Sequence, residues 1–237
     1  DEILSGRTQD ANVQAIARAL GPIGIAVREV RVVPDDQPAI VAAINALRAA
    51  HRYLFTTGGI GPTHDDITAD AVAAAFGVEI GERADALAIL QARYEDAELT
   101  PARRRMARIP DGASLIANPV SGAPGFQLGN VFVMAGVPSI MRGMLPDVLP
   151  RLEGGAAVLS VSVRGPGLRE GDFAAALGEL AAASPELDFG SYPWFGPDGF
   201  GAALVARGTD REAVARAGDA LEALARSFGA APEREGP

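Results

Sequence analysis

The sequence predicts an α/β fold, a mostly parallel sheet with helices on both faces, followed by a small α+β unit. Three observations lead there. Strand-like and helical patterns alternate along the first part of the chain, as a parallel sheet with crossover helices requires. A turn rich in glycine, Gly58-Gly59-Ile60-Gly61, joins an apolar strand run to a helical pattern. After Leu152-Glu153-Gly154-Gly155, a linker by composition, the order changes to β-α-β-β-α. The expected domains are therefore residues 1–152 and 156–237.

The elements follow in order. Val13, Ile16, Ala17 and Leu20 repeat with helical spacing, and Gly21 stands where a helix C′ residue belongs. Ile25 to Val33 is rich in β-branched residues and reads as a strand ending at Pro34-Asp35-Asp36. Pro38 opens a helix carrying Ile40, Val41, Ile44 and Leu47. Tyr53 to Thr57 is a strand, and Asp70 to Phe76 is a helix stopped by Gly77. Ala84 to Asp96 is helical in pattern, and Thr100-Pro101 caps a helix expected to reach Ile109. Ser114 to Ile116 is a strand, Phe126 to Val133 reads as a hairpin, and Gly136-Val137-Pro138-Ser139 opens a helix through Val148. In the second unit, Ala157 to Val163 is a strand, and Phe173, Leu177 and Leu180 mark a helix. Phe189 to Phe195 and Phe200 to Ala206 flank the turn Gly196-Pro197-Asp198-Gly199. Thr209 caps a last helix with Val214, Leu221 and Leu224. Tyr192-Pro193-Trp194-Phe195 reads as a packed aromatic strand, with a lip over a ligand as the alternative.

The segment Thr57 to Asp66 carries the chemistry. Glycine lets a backbone approach a ligand and take φ > 0, and the start of the next helix offers free N–H groups to an anion. Asp65 and Asp66 follow directly, and hard cations share oxygen ligands with phosphates. The combination of strand, glycines, Pro62-Thr63 and paired carboxylates reads as a phosphate and metal site. Ligands of such sheets bind at the carboxyl ends of the strands, which is where this turn belongs.

Composition excludes other chemistries. The chain has no cysteine, and all 21 basic residues are arginine, so thiolate, P-loop lysine and Schiff-base lysine sites are ruled out. Two histidines, His51 and His64, are too few for a poly-histidine zinc site. A net charge of −9 without a basic run argues against nucleic acid. No apolar run reaches the length of a membrane span and no signal peptide is visible, so a cytoplasmic protein is expected, as a homo-oligomer. The chain opens at Asp1 without a methionine, and further residues are expected ahead of it.

Thr57-Gly58-Gly59-Ile60-Gly61-Pro62-Thr63-His64-Asp65-Asp66-Ile67-Thr68 resembles the signature of the molybdopterin-binding domain superfamily. More closely it resembles the amino-terminal domain of CinA-like competence/damage-inducible proteins and the related domain of FAD synthases. The resemblance continues in Asp1-Glu2-Ile3-Leu4-Ser5-Gly6, Asp10-Ala11-Asn12, Asn118-Pro119, Gly122 to Phe126 and Gly136-Val137-Pro138. It implies a three-layer α/β/α domain binding a phosphorylated pterin or nucleotide. It also implies that Asp35 and Asp66 carry the metal and adenylyl chemistry, and Asp65 and Glu2 are read as further candidate metal ligands. Thr57, Gly58, Gly59, Gly61, Pro62, Thr63, Ser5, Gly6, Asn12, Asn118, Gly136, Pro138 and Ser139 are the implied ligand-binding positions. The activity implied is a pyrophosphatase on ADP-ribose or FAD, dependent on Mg²⁺, Mn²⁺ or Co²⁺ and favoured by K⁺. A molybdopterin-binding or adenylyl-transferring protein, and a non-catalytic binding module, are the alternatives.

Three departures stand out. The family's strand and glycine ahead of the segment matching Asp1 are missing, and Ile140 stands where a glutamate is common. The deamidase domain of full-length CinA proteins has no counterpart in this sequence. Among the remaining polar groups, Asp35 and Asp36 also suit a helix cap, and His64 reads as a loop residue. Arg103, Arg104, Arg105 and Arg108 read as a solvated helix face, with a phosphate clamp second. Ser121 lacks the His-Asp pattern of a nucleophile.

Overall fold

The computed structural model describes residues 2–94, 98–197 and 199–237. The expected helix end at Asp96, the turn residue Asp198 and the chain start at Asp1 lie outside the described residues. The chain divides into two compact units, one of residues 1–20 and 26–154, the other of 21–25 and 155–237.

In the first unit, α1 (Asn12–Leu20) starts where the Asp10 carboxylate accepts the N–H groups of Asn12 and Val13 at 2.7 and 3.1 Å. It buries Ile16 and Leu20 on one face. Gly21 is not the left-handed terminator expected of it. Gly21–Ile23 form a 3₁₀ turn, and the positive φ falls at Gly24 (+73°). α2 (Gln37–Ala50) is capped by Asp36, whose Oδ2 accepts the Ala39 N–H at 3.1 Å, and buries Ile40, Ile44 and Leu47. β1 (Leu54–Thr57) leads through the glycine turn into α3 (Thr68–Phe76), which ends at Gly77 with φ +66°. β2 (Ile80–Glu82) and α4 (Ala84–Tyr94) follow, then α5 (Pro101–Arg105), β3 (Arg108–Pro110), β4 (Ser114–Ile116), β5 (Gly125–Leu128), β6 (Val131–Met134) and α6 (Pro138–Val148).

The main sheet has the order β1-β6-β5-β4. β1 runs parallel to β6, while the β6–β5 and β5–β4 pairs are antiparallel, so the sheet is mixed and its parallel part is the β1/β6 pair. Side chains alternate across it. Phe126, Leu128, Val131 and Val133 join Ile40, Ile44, Ala71 and Val72 of α2 and α3 in one core. Between them, Phe132 stacks on Phe55 at 5.3 Å, and Met144 of α6 reaches the N–H of Ala135, so α6 covers the opposite face.

Two expectations are corrected. Ile25 to Val33 forms no strand, and Val27, Val30 and Val32 are exposed. A strand needs a neighbour's hydrogen bonds, and among the described residues the free edge of β1 carries none. The helix expected to reach Ile109 stops at Arg105, because Arg108–Pro110 pair antiparallel with Ile80–Glu82. That partner is distant in sequence, so helical spacing could not reveal it.

The second unit contains β7 (Leu159–Pro166), α7 (Glu170–Ala183), β8 (Asp188–Gly196), β9 (Gly199–Gly208), α8 (Arg211–Ser227) and β10 (Glu233–Glu235). Its antiparallel sheet has the order β10-β7-β9-β8. Val161, Val163, Ala202, Leu204 and Ala206 pack on Phe173, Val214 and Leu221. Asp210, not Thr209, caps α8, its Oδ1 accepting the Ala213 N–H at 2.9 Å. The aromatic run is not core. β8 is an edge strand, Tyr192 and Phe195 are exposed, and Trp194 lies under the Arg164 guanidinium at 4.3 Å. No helix among the described residues is long and apolar enough to cross a membrane.

Candidate functional site

The turn after β1 is built on two left-handed glycines, Gly58 (φ +101°) and Gly59 (φ +68°). The Gly58 N–H extends the parallel ladder to the Met134 carbonyl at 3.0 Å, and the Gly59 carbonyl receives the Thr68 N–H at 2.9 Å. Side chains are excluded on both sides of this turn. A Cβ on Gly59 would overlap Thr68 Oγ1, and one on Gly136 would lie 3.0 Å from Gly58 Cα. The loop is therefore closed onto the first residue of α3 on one side and onto the end of β6 on the other. Asn12 adds to the second side, donating from Nδ2 to the Gly136 carbonyl at 2.7 Å, while its buried Oδ1 has no partner among the described residues.

Asp66 ends the loop by folding back. Its Oδ2 accepts the Thr63 N–H at 2.8 Å and the Thr63 hydroxyl at 2.5 Å. Gly61 leaves room for this, since a Cβ there would sit 2.6 Å from that oxygen. Asp65 faces solvent. His64 is fully exposed, its Nδ1 4.0 Å from Asp65.

A narrow cleft with room for about one water opens beside this loop. Gly59, Ile60, Gly61 and Asp66 form one wall, Asp70, Arg105 and Arg108 another, and Pro124 and Phe126 lie against them. Arg108 grips Asp70 through both carboxylate oxygens at 2.9 and 2.6 Å. Arg105 donates from Nη2 to the Asp66 carbonyl at 3.0 Å and stands 3.8 Å from Asp70. Its buried Nε has no partner among the described residues, a state that costs roughly 1–3 kcal/mol for an ordinary donor.

The four arginines are thus not a uniform solvated face. Arg103 lies over the Tyr94 ring at 4.1 Å, Arg104 pairs with Glu82, and Arg105 and Arg108 line the cavity. Sequence reasoning left Asp70 out of the site and offered Arg105 and Arg108 only as the second reading, a phosphate clamp. The only local signal was the run of basic residues, because the β2/β3 pairing that brings it beside α3 joins distant segments.

The other expected site residues are placed as follows. Gly58 and Gly136 meet at the start of the loop, and Thr57, Pro62 and Thr63 are exposed along it. Pro138 and Ser139 open α6, directly after Val137, and Ser139 is exposed. Ser5 donates its hydroxyl to the Glu2 carbonyl at 3.1 Å, and Gly6 has φ +72°, in an exposed turn around Glu2. Asp35 is exposed at the turn entering α2 and does not line the cavity with Asp66. Asn118 is buried and spends its amide on the turn that follows. Nδ2 donates to Ser121 Oγ and the Ala123 carbonyl at 2.6 and 2.7 Å, and Oδ1 accepts the Val120 and Ser121 N–H groups.

A divalent cation is testable against these groups. Among the described residues, no three His, Asp or Glu side chains gather around one point. Asp66 lines the cavity with one oxygen engaged by Thr63. That donor set fits a cation held by one or two carboxylates and completed by phosphate and water, the usual Mg²⁺ arrangement, and does not fit an all-protein cage.

Fold and loop define an α/β domain that presents a glycine turn at the carboxyl end of its parallel strands. The profile of the family described as "Probable molybdopterin binding domain" matches residues 1–154, and that of "FAD synthase, middle domain" matches residues 167–230. The chain belongs to the molybdopterin-binding domain family, in its CinA-like group. It is 43% identical over 161 residues to a CinA-like protein of Citrifermentans bemidjiense, a stretch covering 65% of this chain and 39% of that relative. It is 36% identical over 205 residues to a protein of Pyrobaculum arsenaticum, covering 81% of this chain and 77% of the other. The crystal structure of CinA from Thermoplasma acidophilum, described as of unknown function, superposes with a TM-score of 0.60 at 36% identity, over 64% of this chain and 92% of that one. The matched stretch spans about two fifths of the CinA-like relative from Citrifermentans bemidjiense.

Proposed function

We propose that this chain is a metal-dependent pyrophosphatase acting on a nucleoside diphosphate-linked molecule such as ADP-ribose or FAD. The observation that carries the reading is one cavity shared by loop glycines, the Asp66 carboxylate and two guanidinium groups. Backbone N–H groups of the turn hold phosphate oxygens, and their fixed positions favour the charge that grows there during attack by water. Asp66, with Asp65 beside it in the chain, holds the cation, and phosphate and water complete its shell. The cation, Mg²⁺, Mn²⁺ or Co²⁺, supplies polarisation of the phosphoryl oxygen and a more acidic water, and K⁺ supports it. The "FAD synthase, middle domain" match over residues 167–230 favours a dinucleotide substrate.

One alternative rests on the family match itself. A domain described as binding molybdopterin would use the same turn for a pterin phosphate, with adenylyl transfer as its chemistry. Incubation with ADP-ribose, FAD, NAD and ATP, with each metal and with or without K⁺, separates the readings. AMP release from one dinucleotide supports the pyrophosphatase. ATP-dependent adenylylation of a pterin supports the alternative. Nucleotide binding without turnover of any substrate overturns both and leaves a binding module.

A further inference from the structure

We propose that Arg105 is the cation that reads a phosphate of the bound ligand in the cavity beside the glycine turn, and that the Arg108–Asp70 pair exists to keep it available. The proposal rests on the reading of this cavity as a phosphate site, though not on hydrolysis there.

Two arginines and one neighbouring carboxylate, Asp70, meet in the cavity wall. Arg108 takes that carboxylate in the bidentate geometry a guanidinium favours, at 2.9 and 2.6 Å. Arg105 stands 3.8 Å from it, an ion pair without a hydrogen bond. A guanidinium carries five N–H donors. In Arg105 one hydrogen bond is made, Nη2 to the Asp66 carbonyl at 3.0 Å, and buried Nε has no partner among the described residues. This is a charged group with unused donors, in a cavity that also contains Gly59 and Gly61.

The bond it does make places it usefully. By holding the Asp66 carbonyl, Arg105 is fixed to the same loop residue whose carboxylate turns back to Thr63. A phosphate lying on the loop amides is then met by the remaining Nη donors of Arg105 from the facing wall. If Arg108 were absent, Asp70 would capture Arg105 as the nearer cation. With Arg105 and Arg108 sharing Asp70, these three groups carry one net positive charge, and without Arg108 they would carry none.

The test uses ADP as probe, titrated calorimetrically into the full chain in the presence of EDTA, so that neither metal nor turnover contributes. Arg105→Gln is expected to weaken ADP at least tenfold with little change in melting temperature. Arg105→Lys, which keeps the charge and loses the fork, is expected to fall between, and serves if the glutamine variant does not fold. Arg108→Gln is expected to weaken ADP severalfold, and Asp70→Asn added to it to restore most of the loss. Affinity within twofold of wild type in both Arg105 variants overturns the proposal, as does a wild-type chain that does not bind ADP. Failure of the pyrophosphatase reading looks different. There ADP binding still depends on Arg105, and no dinucleotide is cleaved with any metal.

Discussion

Gly59→Ala tests the loop geometry on which the site depends. Gly59 has φ +68°, and holding an L-residue there costs about 1–2 kcal/mol. The new Cβ would also overlap Thr68 Oγ1 and lie 3.0 Å from Thr68 Cβ. Thr68 is buried, and its N–H is bonded to the Gly59 carbonyl, so it has little room to retreat. Overpacking of this kind adds roughly 1–3 kcal/mol, for a total of about 2–5 kcal/mol. Thr68→Ala removes the hydroxyl and should lower the cost of Gly59→Ala by about 1 kcal/mol or more, which a double-mutant cycle measures. The assay is urea unfolding of the four proteins followed by circular dichroism, with ADP affinity measured alongside. A Gly59→Ala change that costs less than about 0.5 kcal/mol would refute the argument. So would an equal cost in the Thr68→Ala background and in the wild-type one.

Asp66→Asn removes the carboxylate proposed to hold the cation. Turnover is expected to fall roughly a hundredfold, because metal stabilisation of a phosphoryl group is worth several kcal/mol. Asp65→Asn should be milder, and equal turnover of Asp66→Asn and wild type would reduce Asp66 to a loop-closing group. Asp85 gives a pH test away from the site. Hydrogen bonds from Arg83 at 2.8 and 2.6 Å, the largest influence, lower its carboxyl to about 2. A depressed carboxylate stabilises the fold fully above its ordinary value and loses that contribution as pH falls from about 4 through about 2. Since Asp85 is exposed, the amount should not exceed about 1 kcal/mol and should shrink in salt. Melting temperatures of wild type and Asp85→Asn should therefore differ at pH 5 and converge near pH 2. A gap that stays constant across that range would mean the ion pair is not its source.

What the sequence determined by itself was local. The glycines of the turn, the left-handed stop at Gly77, the Gly129-Asn130 hairpin and the helix after Pro138 are set by neighbours a few residues apart. Backbone strain, capping and side-chain periodicity act over that range, so they can be read without a structure. Tertiary structure decided everything that needs a distant partner. Ile25 to Val33 has strand composition and no strand, because composition cannot supply the neighbouring ladder. Arg108 is in β3 and not in a helix because Glu82 pairs with it. The division of labour between Arg105 and Arg108 is the clearest case. Both are plain arginines in one basic run, and only the position of Asp70 on α3 makes one a structural pair and leaves the other with donors to spare.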